Sequence, residues 1–255
     1  MYAKVAKLAL NQSKKMMVID KTATGLIIFY DLLEDDHGVT VDQPSRETQT
    51  CDLLSSIRDF AVASIDNKVY VSGGLDVIDE SPVNALIVYD GYTGEWRLLS
   101  GMKKNRCNHT MVNWKGRLLV TGGEINAHKK LTSTCEVYYP ETDKWVLIDP
   151  LPEPRCCHAC VVHDGNVFLS GGLCASQHPQ TSIWIYEQTA SKWLSLDEDY
   201  PVELPYRLAR HSMISHYDTI YIIGGGLLMS SEGVLLEKTS RKSLEQFVPR
   251  NWPLW

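Results

Sequence analysis

The sequence predicts an all-β fold, a β-propeller of four-stranded antiparallel blades in about five repeat units, and three regularities carry that reading. Four Gly-Gly pairs, Gly73-Gly74, Gly122-Gly123, Gly171-Gly172 and Gly224-Gly225, stand 49, 49 and 53 residues apart. From the second glycine, Trp96, Trp145 and Trp193 follow at 22, 22 and 21 residues, with Tyr89, Tyr138 and Tyr186 between. Thirteen residues before the first glycine lie His109, His158 and His211, while Ala61 sits one position closer in its own repeat. Several residue types returning in phase at this period mark propellers, solenoids or arrays.

Within each unit the elements follow in a fixed order. A strand-like segment such as HTMVNW or HACVVH opens the unit, and a tight-turn signal follows at Asp66-Asn67, Lys115-Gly116, Asp164-Gly165 or Asp218-Thr219. A β-branched and aromatic run then ends on the glycines: KVYVSGG, RLLVTGG, NVFLSGG and TIYIIGG. The third strand carries the tyrosine (NALIVYD, TCEVYYP, SIWIYEQ) and the fourth the tryptophan (EWRLL, KWVLI, KWLSL). Helical repeats would need long stretches of 3.6-residue periodicity, which are missing. Paired glycines at the end of a strand suit a backbone that turns through positive φ or is approached closely. The rings suit the space between neighbouring sheets.

The flanks are less regular. Residues 1–50 read as a degenerate blade with AKVAKLAL, KKMMVID, GLIIFYD and HGVTVD as its strands. Residues 58–105, 106–154 and 155–206 are well-matched blades, and 207–255 a weakly matched last one, all within a single propeller domain over 1–255. The connection from Trp193 to His211 is five residues longer than its equivalents, through SLDEDYPVELPYRLAR, an insertion that a surface loop tolerates.

Composition excludes several function classes. A net charge of −6 argues against general nucleic-acid binding, which needs a basic surface. No apolar run reaches the ~18 residues of a membrane span, and MYAKVAKLAL lacks the apolar core of a signal peptide. Seven cysteines without a disulfide-like framework point to a reducing compartment, cytoplasmic or nuclear. RCCHACVVH places Cys157 and Cys160 as C-x-x-C, but on a strand residues three apart face opposite sides, so packed free thiols are expected and neither metal nor cofactor.

Taken together, Arg106-His109-Gly122-Gly123-Tyr138-Trp145 and Arg155-His158-Gly171-Gly172-Tyr186-Trp193 resemble the kelch repeat. Arg58-Ala61-Gly73-Gly74-Tyr89-Trp96 matches as well, and the last unit matches through Arg210 or Arg207, His211, Gly224 and Gly225 but lacks the tryptophan. The chain looks most like the C-terminal propellers of BTB-kelch proteins. That resemblance implies a substrate-recognition propeller, linked to cullin ubiquitin-ligase machinery only where BTB and BACK domains accompany it. It also implies six blades, whereas 255 residues hold about 5.2 units, so an incomplete or truncated ring is left open.

The resemblance implies binding through the loops that follow the glycines and those that join the tryptophan strand to the next unit. The first post-glycine loop is acidic through Asp76, Asp79 and Glu80, and the second basic through His128, Lys129 and Lys130. Mixed charge on one rim suits steering of a polar protein segment or peptide. Arg58, Arg106, Arg155 and Arg210 recur beside the other loops. They either brace the blades or reach into the central mouth to bind an acidic peptide, with Arg106 and Arg155 the favoured binders. Tyr200 and Tyr206 are candidate rim aromatics. A non-catalytic protein-binding module is the expected function. A structural scaffold is the alternative, and a metal enzyme built on His109, His158 and His211 the remaining one.

Overall fold

The structure is a computed structural model that describes residues 54, 56–195, 203, 204, 206–217 and 219–225 with their side chains. It describes residue 226 and the strands Ala3–Ala9, Lys14–Asp20, Ile27–Asp35, Gly38–Glu47 and Leu244–Phe247 by backbone. The N-terminal strands form a four-stranded antiparallel sheet, blade I. Blade II comprises Ala61–Ile65, Lys68–Ser72, Leu86–Asp90 and Glu95–Leu99. Blade III comprises Thr110–Trp114, Arg117–Thr121, Cys135–Tyr139 and Lys144–Ile148, and blade IV Ala159–His163, Asn166–Ser170, Ile183–Glu187 and Lys192–Ser195. Blade V pairs Ala209–His216 with Thr219–Gly226, and the latter with Leu244–Phe247. The first strand of each blade touches the first strand of the next, from I to V, so these are the inner strands around the axis.

Local chemistry sets the hairpins. A two-residue turn matches strand twist when both residues are left-handed. Lys115-Gly116 (φ 54° and 75°) and Asp164-Gly165 (48° and 76°) supply this, bringing Trp114 opposite Arg117 and His163 opposite Asn166.

The second and third strands of blades II, III and IV are buried on both faces because each of these sheets lies between two others. In blade III, Leu118 and Val120 pack with Tyr70, Leu86 and Val88 of blade II. Their neighbours Leu119 and Val137 pack with Val167 and Leu169 of blade IV. Alternation along a strand therefore divides side chains between two cores instead of between core and water. The fourth strand is the outer edge: Trp145 is buried, while Val146 and Leu147 are exposed. Tyr89 and Trp96, Tyr138 and Trp145, and Tyr186 and Trp193 are direct cross-strand partners, with ring centroids 5.1, 5.1 and 5.2 Å apart. Trp145 also donates to Ser100 O at 2.7 Å, fixing its sheet to the end of blade II. Truncating such a ring costs about 3–5 kcal/mol.

The glycine pairs form the seams. Gly122 (φ +59°) would place a Cβ 2.3 Å from Arg155 O, and Gly73 one 2.3 Å from Arg106 O. Gly74, Gly123 and Gly172 donate to Arg106 O, Arg155 O and Leu208 O at 2.9, 2.8 and 2.8 Å. Each of these three pairs thus clasps the backbone that leads into the following blade. The residue before each pair meets a histidine from that next blade: Ser72 with His109, Thr121 with His158 and Ser170 with His211, at 2.8, 2.8 and 2.7 Å. Burial lowers the pKa of His158 to about 3 and of His211 to about 4, so both are neutral staples.

Candidate functional site

The segments leading into the inner strands gather at one end of the axis. At that end Asp59, Asn108, Cys157 and Arg210 occupy equivalent positions, each with a left-handed backbone (φ 56°, 52°, 54° and 59°). Their main chains form a staircase around the opening: Asn108 N donates to Asp59 O at 2.9 Å, Cys157 N to Asn108 O at 2.8 Å, and Arg210 N to Cys157 O at 2.8 Å. Left-handed residues without glycine carry strain, and a fixed hydrogen-bond ladder holds them there.

A short hairpin flanks each step. The residue after each glycine pair bridges to the lead-in segment of its own blade: Leu75 to Arg58, Glu124 to Cys107 and Leu173 to Cys156. The hairpin tips carry Asp79 and Glu80 in blade II and His128, Lys129 and Lys130 in blade III, all exposed. Asp76 is half-buried, and its carboxylate accepts from Ile78 N at 2.8 Å and Asp79 N at 3.1 Å, shaping its own loop. Acidic and basic tips therefore stand on the same face as the mouth. Tyr206 is 47% exposed in the connection to blade V, whereas Tyr200 lies outside the described residues.

The four arginines do not share one position. Arg106 and Arg155 precede the staircase by two residues, and in blades II and V that place is held by Ile57 and Leu208. Arg58 is one residue further along, and Arg210 is a step of the staircase itself. The same offset makes Phe60, rather than Ala61, the counterpart of the histidines, its Cβ lying against Gly74 as those of His109 and His211 lie against Gly123 and Gly225.

This difference decides what each arginine can do. Arg106 is fully buried and donates to Gly122 O (2.6 Å), Thr134 O (3.0 Å), Thr134 Oγ1 (3.2 Å) and Glu136 Oε1 (2.5 Å). Arg155 is equally buried, donates to Gly171 O (2.6 Å) and Ser182 Oγ (3.1 Å), pairs with Glu153 and lies 4.3 Å from the Trp184 ring. Burial pulls its pKa down. The expectation that these two arginines reach into the mouth is corrected: both are fully buried, their terminal Nη1 and Nη2 groups donate inside the blade, and they brace glycine carbonyls. Arg58 and Arg210 are exposed at the opening, Arg58 lying 3.7 Å from Asp59.

The histidines likewise diverge from a metal triad, because each is directed to a hydroxyl of the preceding blade. Six cysteines among the described residues are free thiols. Cys160 lies on the inner strand near Thr121 Oγ1, apart from Cys157, which belongs to the staircase. Cys156 and Cys157 instead face Glu124 of blade III, their three ligand atoms within 4.8 Å of one another. A hydrogen bond from Cys156 lowers the Cys157 pKa, burial opposing it and Arg210 assisting, and the same contact raises Cys156. Burial raises nearby Cys107 to about 12. Sequence reasoning missed Asp59, Asn108 and Glu124. Their signals were positional: one place before the histidine phase, and one place after the glycines.

Comparison with known proteins agrees with this architecture. The sequence model described as the KLHDC2/KLHL20/DRC7 kelch-repeats domain matches residues 45–232. A curated relative, kelch-like protein terF of Aspergillus terreus, is 37% identical over 62 residues, 23% of this chain and 14% of its own length. The match therefore spans only a small part of that relative. The solved structure of YjhT superposes with a TM-score of 0.68 at 17% identity, over 88% of this chain and 72% of its own, which establishes likeness of fold.

Proposed function

This chain belongs to the kelch-repeat family, and we propose that it is a non-catalytic recognition module that binds a protein or peptide segment at the axial mouth. The observation that carries this reading is the exposure of Arg58 beside, and of Arg210 on, a backbone ladder fixed by hydrogen bonds. A fixed backbone beneath them limits the ordering needed on binding, and guanidinium groups match carboxylates bidentately. The acidic tip of blade II and the basic tip of blade III add orientation, because a segment with charges of both signs is favoured in one direction only. An acidic side chain of the ligand is assigned to the arginines, and its flanking residues to the tips.

The ubiquitin-ligase role implied by the sequence resemblance depends on BTB and BACK domains beyond the propeller, and the recognition reading stands without it. A cytoplasmic or nuclear setting accords with the free thiols. The test is crosslinking capture with the intact chain and with Arg58→Glu/Arg210→Glu. Partners lost with the double variant, but kept when exposed Leu98 and Leu147 on the outer edge are changed to Ser, support the mouth. Partners lost only with the outer-edge changes would move the site to the blade edges, and capture indifferent to every change would favour a structural scaffold.

A further inference from the structure

Glu124, Cys156 and Cys157 bring two sulfurs and a carboxylate from adjacent blades to one point beside the mouth, and the proposed recognition of a protein uses none of these side-chain groups. Cys156 is 0% exposed, Cys157 7% and Glu124 8%, so the group is sheltered but reachable at its edge. Its Cys156 Sγ and Glu124 Oε1 already lie 3.6 Å apart. A tetrahedral ion with bonds of about 2.3 Å to sulfur and about 2.0–2.2 Å to oxygen sets its ligand atoms roughly 3.3–3.8 Å apart. Starting from separations within 4.8 Å, a small rotation of side chains closes the set.

The backbones under these side chains are fixed. Glu124 and Cys107 exchange hydrogen bonds at 2.9 and 3.0 Å, and Cys156 and Leu173 at 3.1 and 2.8 Å. Cys157 donates to Asn108 O and accepts from Arg210 N, both at 2.8 Å. Asn108 Nδ2 also donates at 3.2 Å to Glu124 Oε1, the oxygen that faces Cys156 Sγ, and so holds the carboxylate at the cluster, as outer partners of metal ligands do. The left-handed turn at Cys157 (φ 54°) is the local feature that accompanies two adjacent cysteines facing one acceptor. Two thiols and a carboxylate suit a thiophilic ion with tetrahedral preference and discriminate against magnesium or calcium, which prefer oxygen.

We propose that Glu124, Cys156 and Cys157 form an inter-blade binding site for a zinc-class divalent cation, leaving one coordination position toward the mouth. Both thiol protons pass to solvent as the ion enters, and no electron transfer is involved. Bound there, the ion ties blade III to blade IV. This inference goes beyond the recognition reading and needs no partner to be tested.

The experiment uses the full chain, reduced and stripped with chelator, then titrated with Zn²⁺ and with Cd²⁺ as a spectroscopic probe. The expected result is one zinc per chain surviving dialysis, and a thiolate-to-metal charge-transfer band with Cd²⁺. Cys157→Ser and Glu124→Gln should each weaken binding at least tenfold, while Cys135→Ser and Cys160→Ser leave it unchanged. The cadmium band of the unaltered chain reports thiolate ligation directly, so the proposal remains testable if a variant fails to fold. Zinc lost on dialysis, cadmium binding without a thiolate band, or unchanged affinity in Cys157→Ser would overturn it.

Discussion

Arg106 and Arg58 stand at the same apparent place in consecutive repeats, yet one is sealed between sheets and the other open to water. Arg106 O accepts from Gly74 of blade II, while its side chain donates to Gly122 of blade III, so a single residue joins two glycine pairs. Arg155 repeats this between Gly123 and Gly171. Arg58 and Arg210 carry the same chemistry but lie one and two residues further along, on or beside the left-handed step at the mouth. Phase relative to the glycines, rather than residue type, separates an arginine that holds the fold from one that can meet a partner.

The largest effects are expected at the seam. Arg106→Ala leaves Glu136, which is 0% exposed, without its cation, and loss of one partner of a buried pair costs about 3–5 kcal/mol. Arg155→Ala should cost less, about 1–3 kcal/mol, because Glu153 is 47% exposed and can turn to water. Chemical denaturation of the two variants checks that ranking, and equal losses would contradict it. Gly122→Ala belongs between them in effect: it adds left-handed strain of about 1–3 kcal/mol and drives a methyl group toward Arg155 O. Gly224→Ala, with open space around it among the described residues, should show the strain alone.

A pH series sharpens the contrast between seam and mouth. His158 and His211 have folded pKa values of about 3 and about 4, below the ordinary 6.5 of an unfolded chain. The unfolded state therefore binds more protons through the interval from 6.5 down to about 4. Their stabilising contribution is complete above pH 6.5 and is lost as pH falls, by up to about 1.4 kcal/mol per unit for each histidine. Thermal melting across that window should show the slope, and His211→Gln should reduce it by up to half. At the mouth the changes are smaller still: Arg58→Glu and Arg210→Glu should each alter stability by no more than about 0.5 kcal/mol, as surface substitutions generally do.

How far the sequence could be read follows from the same distinction. Gly73, Gly122 and Gly171 recur because a Cβ there would strike the next blade, and Tyr138 and Trp145 because they face each other across a register shared by blades II, III and IV. A shared backbone requirement selects the same residue each time, and this made the blades legible. The mouth imposes a shared conformation on Asp59, Asn108, Cys157 and Arg210 but no shared side-chain chemistry, so four unlike residues hide one structural position. Glu124 and Cys156 were harder still, since 32 residues separate them and only the seam between blades brings them within reach.

The most direct test pairs thermal melting with partner capture for Arg58→Glu/Arg210→Glu against Arg106→Lys, which retains charge but loses the forked donor set. The double variant should melt as the intact chain does and capture nothing that depends on the mouth, whereas Arg106→Lys should melt lower and, while folded, still capture. A double variant that keeps its partners, or loses them only by unfolding, would contradict recognition at the axial mouth.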